Sequence, residues 1–250
     1  MRSASPRVFL VTCLLAGLAV LPLTPASAQE ADSLEVSADE DRANLPPETE
    51  LIDVRVLRRI YEREEGAFPV VMTVANETAY PAYWSATPLM LGGTLLTDAD
   101  TRPAVRLAIT QLATFGTTYL AKRLVNRPRP YVAVEGITAR DREHQGDEIF
   151  DPYSFPSGHT SSAFAVATSL SASYPKWYVI VPAMTWASAV GVSRSWLGVH
   201  YPSDVLVGAG LGAGTALLVH VLIPGPGDDD PDGLAGGLTL PVASFTIPIR

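Results

Sequence analysis

Cysteine is almost absent from this chain of 250 residues, with Cys13 as its single thiol. One cysteine excludes a disulfide framework, a Cys-x-x-Cys redox motif and a zinc site built from thiolates. Positive charge is also scarce, since 18 Lys and Arg stand against 26 Asp and Glu and give a formal net charge of -8. A general nucleic-acid-binding role is therefore not expected, because duplex binding depends on many Lys and Arg side chains. Any anion that the protein binds must meet a local cluster of cations.

Hydrophobic residues, in contrast, make up 47% of the sequence, and charged residues make up 18%. This composition can bury a core, and it excludes a fully disordered, collagen-like or heptad-repeat protein. The length fits one folded domain better than two.

The N-terminal residues 1–28 have the pattern of an export signal. Arg2 and Arg7 precede an apolar run over 8–21, and small residues follow at 25–28. The pattern predicts a cleaved signal peptide. The alternative is an uncleaved anchor, although the run is shorter than the roughly 20 apolar residues that a bilayer crossing needs.

Two further segments differ in composition from the rest of the chain. Residues 29–50 are mostly acidic or small, with few large apolar side chains, and this predicts a flexible acidic linker. Residues 225–250 begin rich in Gly and Asp and end in a strand-like stretch, which predicts an irregular tail with a short strand. The folded domain is therefore placed at 51–224.

Apolar periodicity predicts an all-α bundle of about six helices within that domain. The stretches 68–76 and 80–96 contain Pro81 and Pro88, so we expect helices there that are short, kinked or broken. A charged loop is expected over 131–152. The remaining helices are predicted over 54–64, 104–124, 157–173, 177–192 and 202–223.

The last predicted helix leaves the relation to a membrane open. Residues 205–223 are apolar apart from Thr215 and His220 and are nearly long enough to cross a bilayer. Four glycines, at 208, 210, 212 and 214, predict close packing against other helices, which occurs in membranes and in soluble bundles alike. We favour an exported, water-soluble, periplasmic protein, with an integral inner-membrane protein as the alternative.

Basic residues cluster where the 104–124 helix ends. Lys122 lies at the helix terminus, where the dipole favours a cation, and Arg129 lies between two prolines in a segment expected to be extended. Lys and Arg complement an oxyanion as a point charge and a planar fork respectively. Helix capping by basic residues is the alternative interpretation.

A second cluster opens the 157–173 helix. Ser157 is a typical N-cap residue, Gly158 permits close backbone approach, and the N–H groups of a helix start bind anions. His159 would face such an anion. A capping turn with an incidental histidine explains the same residues.

The third cluster contains Arg194, His200 and Asp204. Pro202 suits the first turn of the last helix, so the Asp204 carboxylate can approach one nitrogen of His200 and leave the other available as a nucleophile or base. An aspartate that only matches a helix dipole is the alternative here.

Together the clusters resemble the signature of the type 2 phosphatidic acid phosphatase (PAP2) and vanadium haloperoxidase superfamily. That signature is Lys, six residues and Arg-Pro; then Pro-Ser-Gly-His; then Ser-Arg, five residues, His, three residues and Asp. The sequence matches all three motifs in order between Lys122 and Asp204. The resemblance implies a helical bundle of the PAP2 and acid phosphatase type over 51–224, in a bacterial exported protein.

The resemblance also implies a role for each site residue. His200 would attack phosphorus to give a phosphohistidine, Asp204 would orient its ring, and His159 would protonate the leaving group and then activate water. The phosphate oxygens would be held by Lys122, Arg129, Ser157, Gly158 and Arg194.

The implied activity is metal-independent hydrolysis of phosphomonoesters or pyrophosphates, with or without a lipid tail. No cofactor is implied, and vanadate is expected to inhibit as a phosphate mimic. The expected partner is a phosphorylated small molecule or a lipid phosphate and not a nucleic acid; membrane association and oligomeric state stay open. The alternatives are a vanadium-dependent haloperoxidase that uses the same pocket and a catalytically idle helical module that binds lipid or protein. An integral protein would have its active site facing the periplasm.

Overall fold

Seven helices make up the described part of the computed structural model, which comprises residues 52–141 and 151–224. They are α1 (Ile52–Tyr61), α2 (Phe68–Leu96), α3 (Arg102–Val125), α4 (Pro130–Ala133), α5 (Gly158–Ser173), α6 (Trp177–Trp196) and α7 (Pro202–Leu222). Over these residues the one β contact is an isolated bridge between Pro128 and Tyr153. The all-α prediction is confirmed; α2 joins two of the predicted stretches, and α4 lies where a loop was expected. The predicted signal peptide, acidic linker and C-terminal tail lie outside the described residues.

The second helix corrects the sequence prediction at Pro81 and Pro88. We expected short or broken helices there, but α2 is continuous over 29 residues. A proline costs about 3 kcal/mol in a helix interior, chiefly through a lost hydrogen bond and a clash. Packing offsets this cost, because Ala79 and Tyr83 are buried against neighbouring helices on either side of Pro81. The Ser85 hydroxyl also donates to the Pro81 carbonyl at 2.6 Å.

Glycines allow α5 and α7 to pack closely at the centre of the bundle. A Cβ at Gly212 would lie 2.1 Å from the carbonyl oxygen of Ser161, and one at Gly208 would lie 2.7 Å from that of Ser157. Gly210 and Gly214 meet no atom within 4 Å. Of the four glycines predicted to mediate close packing, only the two that share one face of the helix do so.

The end of α3 is set by Asn126, which adopts a left-handed conformation with φ of 51° and caps the helix. Arg129 follows in an extended conformation (φ -77°, ψ 154°), as its flanking prolines predict. The loop predicted from residue 131 instead begins with one helical turn, α4. Pro130 starts that turn because its fixed φ suits a first helical position.

The end of α6 also differs from the prediction. We expected this helix to stop near Val192, but it continues to Trp196 because neither Pro nor Gly occurs between Val192 and Gly198, whose φ is 75°. Arg194 therefore lies in the last helical turn and not in the loop that follows. This places its side chain on a rigid element.

Candidate active site

Four helix termini meet at one end of the bundle: the ends of α3 and α6 and the starts of α5 and α7. The backbone N–H of Ser157 donates to the Asp204 carbonyl at 3.1 Å, and this joins the starts of α5 and α7. The structure brings the residues predicted for the site together in this region. They are Lys122, Arg129, Ser157, Gly158, His159, Arg194, His200 and Asp204.

Two of the predicted cations share a carboxylate that the sequence did not single out. Lys122 Nζ lies 3.1 Å from Asp151 Oδ2, and Arg129 Nη2 lies 3.3 Å from the same oxygen. Lys122 also donates to the Tyr153 carbonyl at 2.8 Å. Both cations are buried, so they form a converging pair of donors that one anionic oxygen can bridge.

Arg194 is held from two other directions. Its Nη2 donates to Asp141 Oδ2 at 3.0 Å, and its Nη1 donates to Asn76 Oδ1 in α2. The Arg194 side chain is 1% exposed and that of Asp141 is 5% exposed. A buried charge needs a partner of this kind, because desolvation without one is costly.

His200 lies between the cations and Asp204. Arg129 Nη1 is 3.3 Å from His200 Nε2, whereas His200 Nδ1 is 3.7 Å from Asp204 Oδ2. A guanidinium can only donate, so the Arg129 contact requires an unprotonated Nε2 and assigns the ring proton to Nδ1. The nitrogen that can attack therefore points toward the cations. The 3.7 Å distance is longer than a hydrogen bond, and Nδ1 has no hydrogen-bond partner among the described residues.

The surroundings of His200 keep its ring neutral. Burial lowers its pKa well below the ordinary value, and the nearby charges of Arg129, Lys122 and Arg194 lower that pKa further. A neutral imidazole is the form that can act as a nucleophile or a base. The same cations would attract an incoming phosphate.

His159 is buried in the first turn of α5 and packs against Tyr80 of α2, with ring centroids 4.0 Å apart. Its charge also contributes to the lowered pKa of His200, so the two imidazoles interact electrostatically. Tyr80 was not identified from the sequence, because no motif connects it to the site.

Ser157 occupies the N-cap position of α5, but its side chain does not cap the helix. Its hydroxyl oxygen instead accepts a hydrogen bond from Thr160 Oγ1 at 2.8 Å. The predicted N-cap position of Ser157 is confirmed, but its hydroxyl contacts a nearby hydroxyl in place of a backbone N–H. Gly158 is the first residue of α5, and a Cβ there would meet only Thr118, at 3.9 Å.

Arg127 and one of its two carboxylate partners, Asp53, were not predicted as site residues, whereas the other partner, Asp204, was. Arg127 Nη1 lies 2.7 Å from Asp204 Oδ1, and its Nη2 lies 2.8 Å from Asp53 Oδ2 in α1. The available signal was the position of Arg127 in the same basic cluster as Arg129. Nothing in the sequence links Asp53 to that cluster, since the two contacting segments are far apart along the chain.

The site is thus a buried set of cations with one unprotonated imidazole nitrogen, His200 Nε2, and with the second imidazole, that of His159, nearby. Such a set can hold a tetrahedral oxyanion and stabilise charge on its equatorial oxygens. Over residues 52–141 and 151–224, no group of three or more His, Cys, Asp or Glu side chains is arranged to hold a metal ion.

The helical bundle and the three sequence motifs together define the class of protein. The model of the PAP2 superfamily matches residues 103–227, which is half of the chain. The chain therefore belongs to the PAP2 superfamily, as its motifs predict.

Individual relatives are similar over part of their length. The chain is 32% identical over 137 residues to undecaprenyl-diphosphatase BcrC of Bacillus subtilis, which covers 54% of this chain and 65% of the relative. It is 31% identical over 104 residues to a lipid A 1-phosphatase of Rhizobium johnstonii, with 41% of each chain covered. The chain thus spans less than two thirds of either relative.

A solved structure shares the fold. The transmembrane PAP2 type phosphatidylglycerolphosphate phosphatase of Bacillus subtilis superposes with a TM-score of 0.56 at 22% identity, covering 76% of this chain and 94% of that one.

Proposed function

We propose that this protein is an integral membrane phosphatase that hydrolyses the phosphomonoester or pyrophosphate group of a lipid, without a metal, through a phosphohistidine. The observation that carries the proposal is the position of His200. Its Nε2 lies 3.3 Å from Arg129, and its ring is kept neutral by burial and by the surrounding cations. The named activities of the two relatives, on lipid A and on undecaprenyl diphosphate, support a lipid substrate.

The first step forms a bond from His200 Nε2 to phosphorus. The phosphate displaces the Asp151 carboxylate from Lys122 and Arg129. The phosphate oxygens then accept the hydrogen bonds that this carboxylate had accepted. As the P–O bond to the leaving group breaks, His159 gives that oxygen a proton. The product is a phosphohistidine, with Asp204 facing Nδ1 of the ring, which becomes positively charged.

The second step breaks the P–N bond. His159, now unprotonated, takes a proton from a water molecule as its oxygen attacks phosphorus. Inorganic phosphate leaves, and His200 returns to its neutral form. The lysine and arginine side chains stabilise the equatorial oxygens in both steps, which is the main requirement for phosphoryl transfer.

The flanks of the bundle support membrane insertion. Among the described helices, α7 alone is both long and apolar enough to cross a membrane, and only 22% of its apolar window is buried. A core helix of a soluble protein would be mostly covered. Large exposed apolar side chains also occur on α2, α3 and α6, which favours the membrane alternative over a soluble periplasmic protein. Examples are Leu89 on α2, Leu112 and Phe115 on α3, Val181 on α6, and Leu206 and Leu218 on α7 itself.

The predicted N-terminal export signal supports a periplasmic site. Whether the segment 1–28 is cleaved or retained, an export signal carries the chain that follows it across the membrane. The first described helix, α1, lies at the end of the bundle that holds the active site, because Asp53 Oδ1 accepts a hydrogen bond from the Ser203 N–H at 2.9 Å. This arrangement supports an active site on the outer side of the membrane.

The test is phosphate release by detergent-purified protein from p-nitrophenyl phosphate and from a polyprenyl diphosphate in mixed micelles. We expect hydrolysis that vanadate inhibits and EDTA does not, with kcat/KM higher for the lipid. Loss of activity in EDTA, or halide oxidation on addition of vanadate without phosphate release, would contradict the proposal. Extraction with carbonate before detergent tests membrane insertion, and release into the supernatant would contradict it.

A further inference from the structure

Arg127 connects the segment that carries His200 and Asp204 to α1, a helix that lies before the residues matched by the family model. Its guanidinium binds Asp204 Oδ1 through Nη1 at 2.7 Å and Asp53 Oδ2 through Nη2 at 2.8 Å. The guanidinium also stacks on the Tyr201 ring, with its central carbon 3.8 Å from the centroid. Four contacts, including one of 2.7 Å from Nη1 to Ser203 Oγ, fix the plane of this side chain.

Asp53 holds the other side of this arrangement. Its Oδ1 accepts the Ser203 N–H at 2.9 Å, and its Oδ2 accepts both the Ser203 hydroxyl and Arg127. Asp53 lies in the first turn of α1, and the family match begins only at residue 103. These hydrogen bonds to Ser203 and Arg127 outweigh the effect of burial and lower the pKa of Asp53.

The two carboxylate oxygens of Asp204 have different partners. Arg127 binds Oδ1, while Oδ2 accepts the Tyr201 N–H at 2.8 Å and faces His200 Nδ1 at 3.7 Å. The carboxylate of Asp204 therefore cannot rotate without breaking a short ionic hydrogen bond. Its orientation toward the histidine is set by Arg127 together with the Tyr201 N–H, and not by the histidine itself.

The charge balance gives Asp53 a role of its own. Arg127 and Asp204 alone sum to zero, so a bare pair would offer His200 little negative potential. With Asp53 included, the three side chains carry a net charge of -1 beside the ring. That charge counters the cations Arg129, Lys122 and Arg194 that face the same ring, and it helps to stabilise the positive ring of a phosphohistidine.

We propose that Asp53 and Arg127 are positioning residues that orient Asp204 toward His200 and supply the negative charge that its phosphorylated ring requires. Through them α1 becomes part of the catalytic apparatus. This inference rests on the proposed function, because it assigns a role within the same site.

The test compares Asp53→Asn with the wild type in the full-length, detergent-solubilised protein. We expect kcat to fall about tenfold with KM nearly unchanged. Removing the negative charge also destabilises the protonated ring of His200, so the acid limb of the kcat profile moves to lower pH. Arg55→Gln, an exposed position on the same helix, serves as the matched control and should leave both quantities unchanged.

The outcomes separate the possible failures. A wild-type protein without phosphatase activity contradicts the proposed function itself. An active wild type with unchanged kcat in Asp53→Asn, or with a lower kcat but an unmoved acid limb, overturns the positioning role, because a merely structural residue would not shift the limb. If Asp53→Asn does not fold, Arg127→Lys decides. One ammonium cannot form the planar bridge to both carboxylates, so kcat should fall at least about threefold at constant KM; an unchanged kcat overturns the proposal.

Discussion

The end of the bundle that holds the active site, here called the site end, differs from the flanks in which side chains are buried and which are exposed. At the site end, charged residues such as Arg129 and Asp204 are almost completely buried. On the flanks, apolar residues such as Leu89 and Leu206 are 73% exposed. A protein in water alone would favour the reverse. The contrast is expected of a bundle surrounded by lipid at its sides and open to water and phosphate at one end.

The two regions also differ in how specific their interactions are. Each buried charge at the site end has named partners at hydrogen-bond distance, so a single substitution leaves another charge without compensation. The flanks need only be apolar, so any residue of that type serves. This difference predicts a graded set of mutational effects.

The largest effect should follow from removing the reactive nitrogen. We expect His200→Ala to lower kcat at least about 10³-fold, because it removes Nε2, the unprotonated nitrogen that lies 3.3 Å from Arg129. Phosphate release from p-nitrophenyl phosphate measures this. His220→Gln is the matched control, since this residue lies near the far end of α7, about 27 Å along the helix from its start. Retention of most of the activity in His200→Ala would contradict its assignment.

A charge on the flank should be the next most damaging change. Leu112→Arg on α3 is expected to cost about 3 kcal/mol if this side chain faces lipid, and about 0.5 kcal/mol or less if it faces water. The yield of folded protein after membrane extraction, compared with Leu112→Met, measures the difference. Equal yields, or a gain in solubility without detergent, would argue against membrane burial of this surface.

Asp151 offers a smaller and opposite effect at the site end. Its carboxylate occupies the oxyanion donors of Lys122 and Arg129, so Asp151→Asn should strengthen inhibition by vanadate about three- to tenfold. Glu64→Gln is the control, because Glu64 pairs with Arg140 outside the cation cluster. Weaker inhibition in Asp151→Asn would mean that the carboxylate supports the anion site and does not compete for it.

The smallest effect concerns the stability of the fold at mildly acidic pH. The folded-state pKa of His200 lies well below its ordinary value, first through burial and then through Arg129. Below about pH 6.5 the unfolded chain therefore binds more protons than the folded one, and stability falls as the pH falls. Thermal unfolding between pH 5 and 8 should show a steeper decline for the wild type than for His200→Gln. Parallel curves would contradict the neutral, buried state of this ring.

Local sequence patterns predicted most helices but not their limits. The apolar period and Pro103 placed α3 correctly, and Arg129 is extended as its neighbouring prolines require. Pro81 misled the analysis of α2, because the cost of a proline is local whereas the packing that offsets it comes from other helices. A proline rule cannot include contacts that form only in the folded bundle.

The prediction of the site residues was limited in the same way, because some contacts form only in the folded bundle. Its motif residues could be proposed from spacing, because each motif is compact in sequence. Asp53 could not, since it reaches Ser203 across 150 positions of the chain and belongs to no motif. Asp151 could not be predicted for another reason. It is one of several carboxylates in a charged loop, and nothing in the sequence indicates that it contacts two buried cations.

The most direct test of the catalytic assignment is to trap the phosphorylated enzyme. Protein mixed rapidly with a ³²P-labelled substrate and quenched in base should carry label that is stable to alkali, labile to acid and located on the peptide containing His200. His200→Ala should carry none. Label on another residue, or complete turnover with no labelled protein at any quench time, would contradict nucleophilic attack by His200.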